Sequence, residues 1–192
     1  MSNLTDFFPS GGGGGLTPKF EEFNASGTFT PSQALIDAGG YIEVFLVGGG
    51  AGPGNSTVKG ATGGEALTKK MYLLNTNGCA VTIGSGGGSG ATSGAGGNST
   101  FDASSSGSVL LTAIGGIVDG NQSGMISPSW GAFGQNQDRG MVSGPGVFGY
   151  GAGAKGFVNE SGGVSSPKAN SGQGAGYYGT GGSGYCLIKW YE

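Results

Sequence analysis

The sequence contains no histidine and only two cysteines, so the usual metal ligands and neutral-pH bases are scarce. Without histidine, the Ser-His-Asp and Cys-His arrangements of nucleophilic catalysis are excluded. Two cysteines fall short of the about four nitrogen or sulfur ligands that a structural zinc ion needs. We therefore predict neither a metal site nor a cofactor.

Charged side chains are also scarce. The chain has 8 Lys and Arg residues against 11 Asp and Glu residues, a net charge of −3. Because the basic residues are scattered, they form no patch that would bind phosphates, and nucleic acid is not an expected partner. No two carboxylates are marked as an acid–base pair, and the four G-x-G-x-x-G matches neither follow a strong strand nor open a helix. We predict that the protein is not an enzyme.

Long apolar runs are absent as well. The N-terminal sequence MSNLTDFFPSGGGGG lacks the basic and apolar regions of a signal peptide, and no run approaches the ~18 apolar residues of a membrane span. We expect a soluble protein that is neither exported by means of a signal peptide nor inserted into a membrane.

Glycine, in contrast, is abundant: 48 of 192 residues, one in four, where about 7% is usual. Ordering so many glycines costs backbone entropy, so composition alone favours disorder. The hydrophobic residues are nevertheless bunched into runs that can form a core. With 7 prolines and no G-X-Y period, collagen is excluded. We predict a folded domain with glycine-rich parts.

The apolar runs resemble β-strands that stop against glycines. In YIEVFLVGGGAGPGN, residues 41–55, the run Tyr41–Val47 is predicted as a strand buried on both faces or nearly so, and Gly48 ends it. Strands are predicted near residues 28–30, 41–47, 66–74, 79–83, 108–114 and 185–191. The fold class predicted from them is all-β, with a sandwich or jelly-roll-like core.

Three local patterns add detail. Residues 65–74 fit a helix or a strand by periodicity, and the neighbouring strands favour a strand. The turn signal Asn75–Gly78 predicts a hairpin between that strand and the one that begins at Cys79, and Ile36–Gly40 is predicted as a turn. Cys79 and Cys186 lie in or beside apolar runs, which favours two buried thiols over a disulfide.

Residues 117–183 contain no comparable run, although an unstructured loop longer than ~15 residues is unusual in a compact domain. Glycine-rich segments can form extended, three-residue-per-turn helices that bond side by side, as in polyglycine II, or they can remain as individually pinned loops. We predict a mixture of the two, with long loops that are ordered by mutual packing.

Large aromatic residues are isolated among these glycines. They either pin the loops internally or lie exposed at loop tips, where rings stack on sugars or anchor protein partners. Tyr177, Tyr178 and Trp130 are the first choices for exposed contacts. The full set of candidates is Trp130, Phe133, Phe148, Tyr150, Tyr177 and Tyr178.

The chain is predicted to divide into an N-terminal anchor and linker, residues 1–18, and a glycine-rich β domain, residues 19–192. Five consecutive glycines within the linker form a flexible coil. Phe7 and Phe8 would be unusual on a free tail, so they either dock into a larger assembly or fold back onto the domain. We favour docking.

Several short motifs recur where strands adjoin glycines. They are Thr28–Pro31, VFLVGGGAG at 44–52, Val81–Gly84, Ser99–Phe101, Ala113–Gly116 and Gly182–Tyr191. Together they resemble the glycine-rich domain family found in bacteriophage tail-fibre and other virion proteins, over about residues 27–191. The composition is also similar to that of the glycine-rich tip adhesins of T-even-type phages, although the chain has fewer unbroken glycine runs than the most extreme members.

The resemblance implies a phage virion protein, made in the host cytoplasm, that recognises the bacterial surface. The expected role is a tail-fibre or receptor-binding component that binds surface polysaccharide or an outer-membrane protein through its glycine-rich loops. It would be a homo-oligomer, with a trimer favoured, anchored to other virion proteins through Phe7 and Phe8. The alternative is a purely structural virion protein, such as a head fibre, decoration or collar protein.

Overall fold

The computed structural model describes residues 15–52, 60–88, 94–119, 140–141, 156–157, 169–175 and 179–192. Within these ranges the chain is almost entirely strand and extended segment. The strands are β1 (Pro18–Phe23), β2 (Gly27–Phe29), β3 (Tyr41–Val47), β4 (Gly60–Ala61), β5 (Ala66–Tyr72), β6 (Cys79–Thr82), β7 (Ser99–Asp102), β8 (Leu110–Ala113), β9 (Val118–Asp119), β10 (Gly140–Met141), β11 (Gly156–Phe157) and β12 (Tyr185–Tyr191). A short helix α1 (Gln33–Asp37) and a 3₁₀ turn (Ser104–Ser106) complete the described elements.

Eight of these strands form two four-stranded antiparallel sheets. Sheet A has the order β1-β12-β3-β5 and sheet B the order β2-β6-β7-β8, while β4 pairs with β9 and β10 with β11 in short ladders. Inward-facing side chains from both sheets, among them Phe29, Ile42, Phe101 and Ile188, form one hydrophobic cluster. Two sheets that share a core form a sandwich-like, all-β domain, as the apolar runs predicted.

The strand β3 lies inside sheet A and alternates between two environments. Ile42, Val44 and Leu46 are fully buried in the shared core, whereas Glu43 and Phe45 are half-buried on the outer face. The strand was predicted to be buried on both faces or nearly so; its inner face is fully buried, and its outer face is half-buried. Its neighbours cover the backbone but leave the outward side chains accessible.

The predicted hairpin between β5 and β6 is also wrong. β5 pairs with β3 in sheet A, whereas β6 lies between β2 and β7 in sheet B. Residues 75–78 do turn the chain, but they carry it from one sheet to the other. The Asn77 side-chain amide donates to the Ser105 carbonyl at 2.9 Å, which ties this crossing to the 3₁₀ turn.

The segment predicted as a turn over residues 36–40 is partly helical. The Ser32 hydroxyl accepts a hydrogen bond from the Leu35 amide at 3.0 Å, which caps α1, and Leu35 is buried. Only Gly39 and Gly40, with φ of 103° and 68°, form the turn that leads into β3. The helix was missed because it has only five residues, too few to show a helical period in the sequence.

Both cysteines are free, buried thiols, as predicted. Cys79 belongs to β6 and Cys186 to β12, so the two sheets each contribute one to the core. Burial raises the pKa of the Cys186 thiol to about 12 and also raises the pKa of the Cys79 thiol. Because the thiolate is the reactive form, both sulfurs are protected from alkylation and oxidation.

We expect neither thiol to react with a disulfide reagent such as DTNB in the folded protein at pH 8. In guanidinium chloride both should react, with two equivalents of thiol per chain. The burial of Cys79 and Cys186 and their raised pKa values are the cause. Rapid reaction of one equivalent without denaturant would contradict the closed core described here.

Candidate functional site

Beyond one end of the sandwich, six strands continue directly into glycine-rich segments. Chain segments 48–52, 84–88 and 114–117 follow β3, β6 and β8, while segments 62–65, 94–97 and 181–184 precede β5, β7 and β12. A seventh segment, 172–175, is not contiguous with a sheet strand. We call segment 48–52 the central segment and the other six the ring segments.

The backbone hydrogen bonds of the central segment repeat every three residues. N–H groups three residues apart donate to the same ring segment, and consecutive N–H groups point to three different ones. This is the periodicity of an extended helix with three residues per turn, as in polyglycine II. The donor–acceptor pairs are Gly48–Glu65 (2.9 Å), Gly49–Gly97 (2.9 Å), Gly50–Gly182 (2.8 Å), Ala51–Thr62 (2.9 Å) and Gly52–Gly94 (3.1 Å).

The central segment's carbonyl groups accept from the three remaining ring segments. The donors are Gly116 to Gly49 (2.7 Å), Gly87 to Gly50 (2.8 Å) and Ala175 to Ala51 (3.0 Å). Each ring segment is also bonded to the next, in the order 62–65, 114–117, 94–97, 84–88, 181–184, 172–175 and back to 62–65. One extended segment is thus enclosed by six others, which is the hexagonal packing of parallel rods. We call this assembly the glycine bundle.

The spacing inside the glycine bundle leaves no room for side chains at most positions. A Cβ atom on Gly49 would lie 2.1 Å from the Ser85 carbonyl oxygen, and one on Gly50 would lie 2.0 Å from that of Gln173. Contacts of that length do not occur, so the packing depends on glycine at these points. Ala51 is the exception, a fully buried alanine within the central segment.

At the end of the glycine bundle opposite the sandwich, the chain leaves one glycine segment and later enters the next. Strands β3, β6 and β8 run towards the bundle and β5, β7 and β12 run away from it, so the ends of the segments opposite the sandwich lie together. A five-residue extended segment spans about 15 Å. We call this far end the distal end; the described residues there include Gly52, Gly60, Gly88, Gly94, Asp119, Ala175 and Gly179.

None of the predicted contact residues lies in the part of the chain that the structure describes. Their proposed roles remain predictions. In sequence, the Tyr177-Tyr178 pair falls between Ala175 and Gly179, two residues of the distal end. The residues outside the described ranges are Trp130, Phe133, Phe148, Tyr150, Tyr177 and Tyr178, together with Phe7 and Phe8.

The glycine bundle is held by its backbone, and one carboxylate supports it where it joins the sandwich. The Glu65 carboxylate accepts from the Ile114 amide at 3.0 Å, where segment 62–65 ends and segment 114–117 begins. At the other end of sheet B, hydrogen bonds from the Ser104 hydroxyl and amide hold the pKa of Asp102 below its usual value. Among the described residues no cluster of His, Cys, Asp or Glu could hold a metal ion, and no helix could span a membrane.

No protein-family model matches this chain, and no curated protein matches it. The resemblance to glycine-rich phage proteins therefore rests on the sequence motifs. The sandwich and the glycine bundle are the observations from which its function can be argued.

Proposed function

We propose that the protein is a bacteriophage virion component, a tail-fibre or receptor-binding part that recognises the bacterial surface through its glycine-rich loops. The observation that supports this most strongly is the glycine bundle. It forms an extension of the sandwich that is held by backbone hydrogen bonds between seven segments rather than by a hydrophobic core.

Such an extension suits presentation of loops to a large target. Each central amide from Gly48 to Gly52 is bonded to a different point on the ring, so the segments cannot slide independently. Loops that leave a rigid scaffold lose less conformational entropy on binding than loops on a mobile one. The distal end is therefore the proposed recognition surface.

The proposed receptor is surface polysaccharide or an outer-membrane protein of the host. The proposed contacts are the six aromatic candidates, with Tyr177 and Tyr178 first because they lie in sequence between Ala175 and Gly179, two residues of the distal end. Phe7 and Phe8 would join the domain to other virion proteins, and a homotrimer is the proposed assembly.

A purely structural virion role is the second candidate, and one observation favours it. Backbone packing alone accounts for glycine at positions such as Gly49 and Gly50, where a Cβ would collide with a carbonyl oxygen. The glycine content therefore needs no receptor to explain it. A head fibre, decoration or collar protein would use the glycine bundle as a spacer.

Adsorption of virions separates the two roles. Residues 121–167 can be replaced by a short Gly-Ser linker, which leaves every segment of the glycine bundle in place. We expect adsorption to host cells to fall at least about tenfold, because aromatic contacts typically dominate such interfaces. The double variant Tyr177→Ala/Tyr178→Ala tests the tyrosine pair without a deletion.

The matched control is Val109→Ala, an exposed apolar side chain beside β8, which should adsorb normally. Particle composition must be measured for each variant by gel electrophoresis of purified virions. Normal adsorption of both test variants, with the protein incorporated, would overturn the receptor-binding role and leave the structural one.

A further inference from the structure

The outer face of sheet A contains a groove of about 670 Å³. Side chains from all four strands of the sheet line it, and the volume is within the range of small-ligand sites. The groove lies on the side of the sandwich, away from the distal end. Its principal lining residues are Phe20, Tyr41, Glu43, Lys70, Lys189 and Tyr191.

Strand register places three tyrosines in one row across this face. Tyr41 pairs with Tyr72, and the two rings lie edge to face with centroids 5.2 Å apart. Since Trp190 pairs with Ile42 in antiparallel strands, Tyr191 falls opposite Tyr41 on the other side. Tyr72 and Tyr191 expose 62% and 56% of their surface, so the row forms an accessible aromatic platform.

A second row, one step along the strands, is charged. Lys189 pairs with Glu43, and Glu43 with Lys70. The Lys70 ammonium lies 3.8 Å from a Glu43 carboxylate oxygen, and a hydrogen bond with the Tyr41 side chain is the main cause that raises the pKa of Lys70. This pair is already satisfied within the protein and fixes the groove wall on the β3–β5 side.

Two charged groups of the groove have no such partner. Among the described residues, the Lys189 ammonium and the Glu22 carboxylate make no ion pair or side-chain hydrogen bond. They stand on neighbouring strands, with Phe20 opposite Lys189 and Leu187 opposite Glu22. Both lie on the same side of the tyrosine row, with Lys189 in the next outward-facing row and Glu22 in the row after it. One free donor group and one free acceptor group therefore continue the groove beyond the aromatic platform.

We propose that this groove binds a saccharide. The apolar face of a sugar ring would pack on Tyr191 and Tyr41, where aromatic rings offer area at low entropic cost. Hydroxyls of that ring would accept from the Lys189 ammonium, and those of the next sugar unit along the groove would donate to the Glu22 carboxylate. The site is separate from the distal end, and the choice of bacterial glycans as its ligands rests on the proposed function.

The charges favour a sugar over a second copy of the chain. The centre of an interface between copies is depleted of charged residues, yet the row that includes Lys189 and Glu43 crosses the middle of this face. Burying unpaired Lys189 and Glu22 against protein would cost more than their contacts return. A saccharide supplies hydroxyls to both and leaves them partly hydrated.

The test uses the full-length protein on an array of oligosaccharides from bacterial lipopolysaccharides and capsules, followed by calorimetric titration with a retained glycan. We expect Tyr191→Ala to weaken binding at least about tenfold and Lys189→Ala to weaken it severalfold. Tyr191→Phe should bind nearly as well as the parent, because the ring is kept. Thr112→Ala on the outer face of sheet B is the control and should leave the affinity unchanged.

Three results would overturn the proposal. The first is an array on which no glycan is retained. The second is equal loss of affinity in Tyr191→Ala and Thr112→Ala. The third is a changed oligomeric state of Tyr191→Ala by sedimentation with unaltered glycan binding, which would identify the groove as an interface between copies. Replacement of residues 121–167 should not affect this binding, so failure here and failure of the receptor-binding role are distinguishable.

Discussion

Replacing Gly50 with alanine is expected to destabilise the folded protein by about 3 kcal/mol. The new Cβ would lie 2.0 Å from the carbonyl oxygen of Gln173 and 2.3 Å from its carbonyl carbon. Both atoms belong to backbone, which cannot rotate away as a side chain can. Because six ring segments enclose the central segment, relief of the collision requires the glycine bundle to open. Urea unfolding followed by circular dichroism measures the loss.

Gly88→Ala is the matched control. A Cβ at Gly88 meets no heavy atom of the described residues within 4 Å, and its φ is outside the left-handed region. Alanine there restricts the unfolded chain and should leave stability unchanged or raise it by about 0.5 kcal/mol. If Gly50→Ala unfolds at the same urea concentration as Gly88→Ala, the hexagonal packing around the central segment is wrong.

The strands were predictable because their signal is local. Runs such as Tyr41–Val47 and Tyr185–Tyr191 are mostly apolar and adjoin glycine, and both form strands over the predicted residues. The strand Pro18–Phe23 gave no such signal, since as an edge strand it buries only Phe23. Edge strands need little hydrophobicity, so their sequences resemble those of loops.

Pairing between strands was not predictable from the same patterns. Alternation shows which residues face the core, but it does not show which of two sheets a strand joins. The turn at Asn75–Gly78 is compatible with a hairpin and with a crossing between sheets. The Asn77 side chain bonds to the 3₁₀ turn, which is distant in sequence, and this contact stabilises the crossing between sheets.

The glycine bundle could be anticipated only in part. The sequence shows glycines directly beside strands, and it predicts that such segments can bond side by side. Their hexagonal arrangement depends on pairs far apart in the chain, such as Gly64 with Gly172 at 2.8 Å. Since glycine has no side chain, no residue pattern encodes which segments meet.

The groove on sheet A was missed for a related reason. Tyr41, Tyr72 and Tyr191 lie within apolar runs, where each resembles a core residue. Only the register between β12, β3 and β5 brings them into one outward-facing row. The candidate contact residues predicted from the sequence are aromatic residues that are isolated among glycines, such as Trp130. That criterion does not detect aromatic residues that lie on strands.

Ser99 joins the sandwich to the glycine bundle through two buried hydrogen bonds. It lies at the start of β7 and is fully buried. Its hydroxyl donates to the Val47 carbonyl at 2.6 Å and accepts from the Gly84 amide at 2.9 Å. Val47 ends β3 in sheet A, and Gly84 begins the ring segment that follows β6 of sheet B. A single hydroxyl therefore satisfies one backbone group from each sheet, at the level where the strands end and the glycine segments begin.

Ser99→Ala should therefore cost about 2–6 kcal/mol of folding free energy, because it leaves one buried donor and one buried acceptor unpaired, at about 1–3 kcal/mol each. Ser105→Ala is the control: its exposed hydroxyl donates to the Gly78 carbonyl at 2.8 Å, and water can replace it, so the loss should be under about 1 kcal/mol. Urea unfolding gives both values, and amide hydrogen exchange should show faster exchange at Gly84 in Ser99→Ala. Equal stability of the two variants would mean that the junction does not depend on this serine.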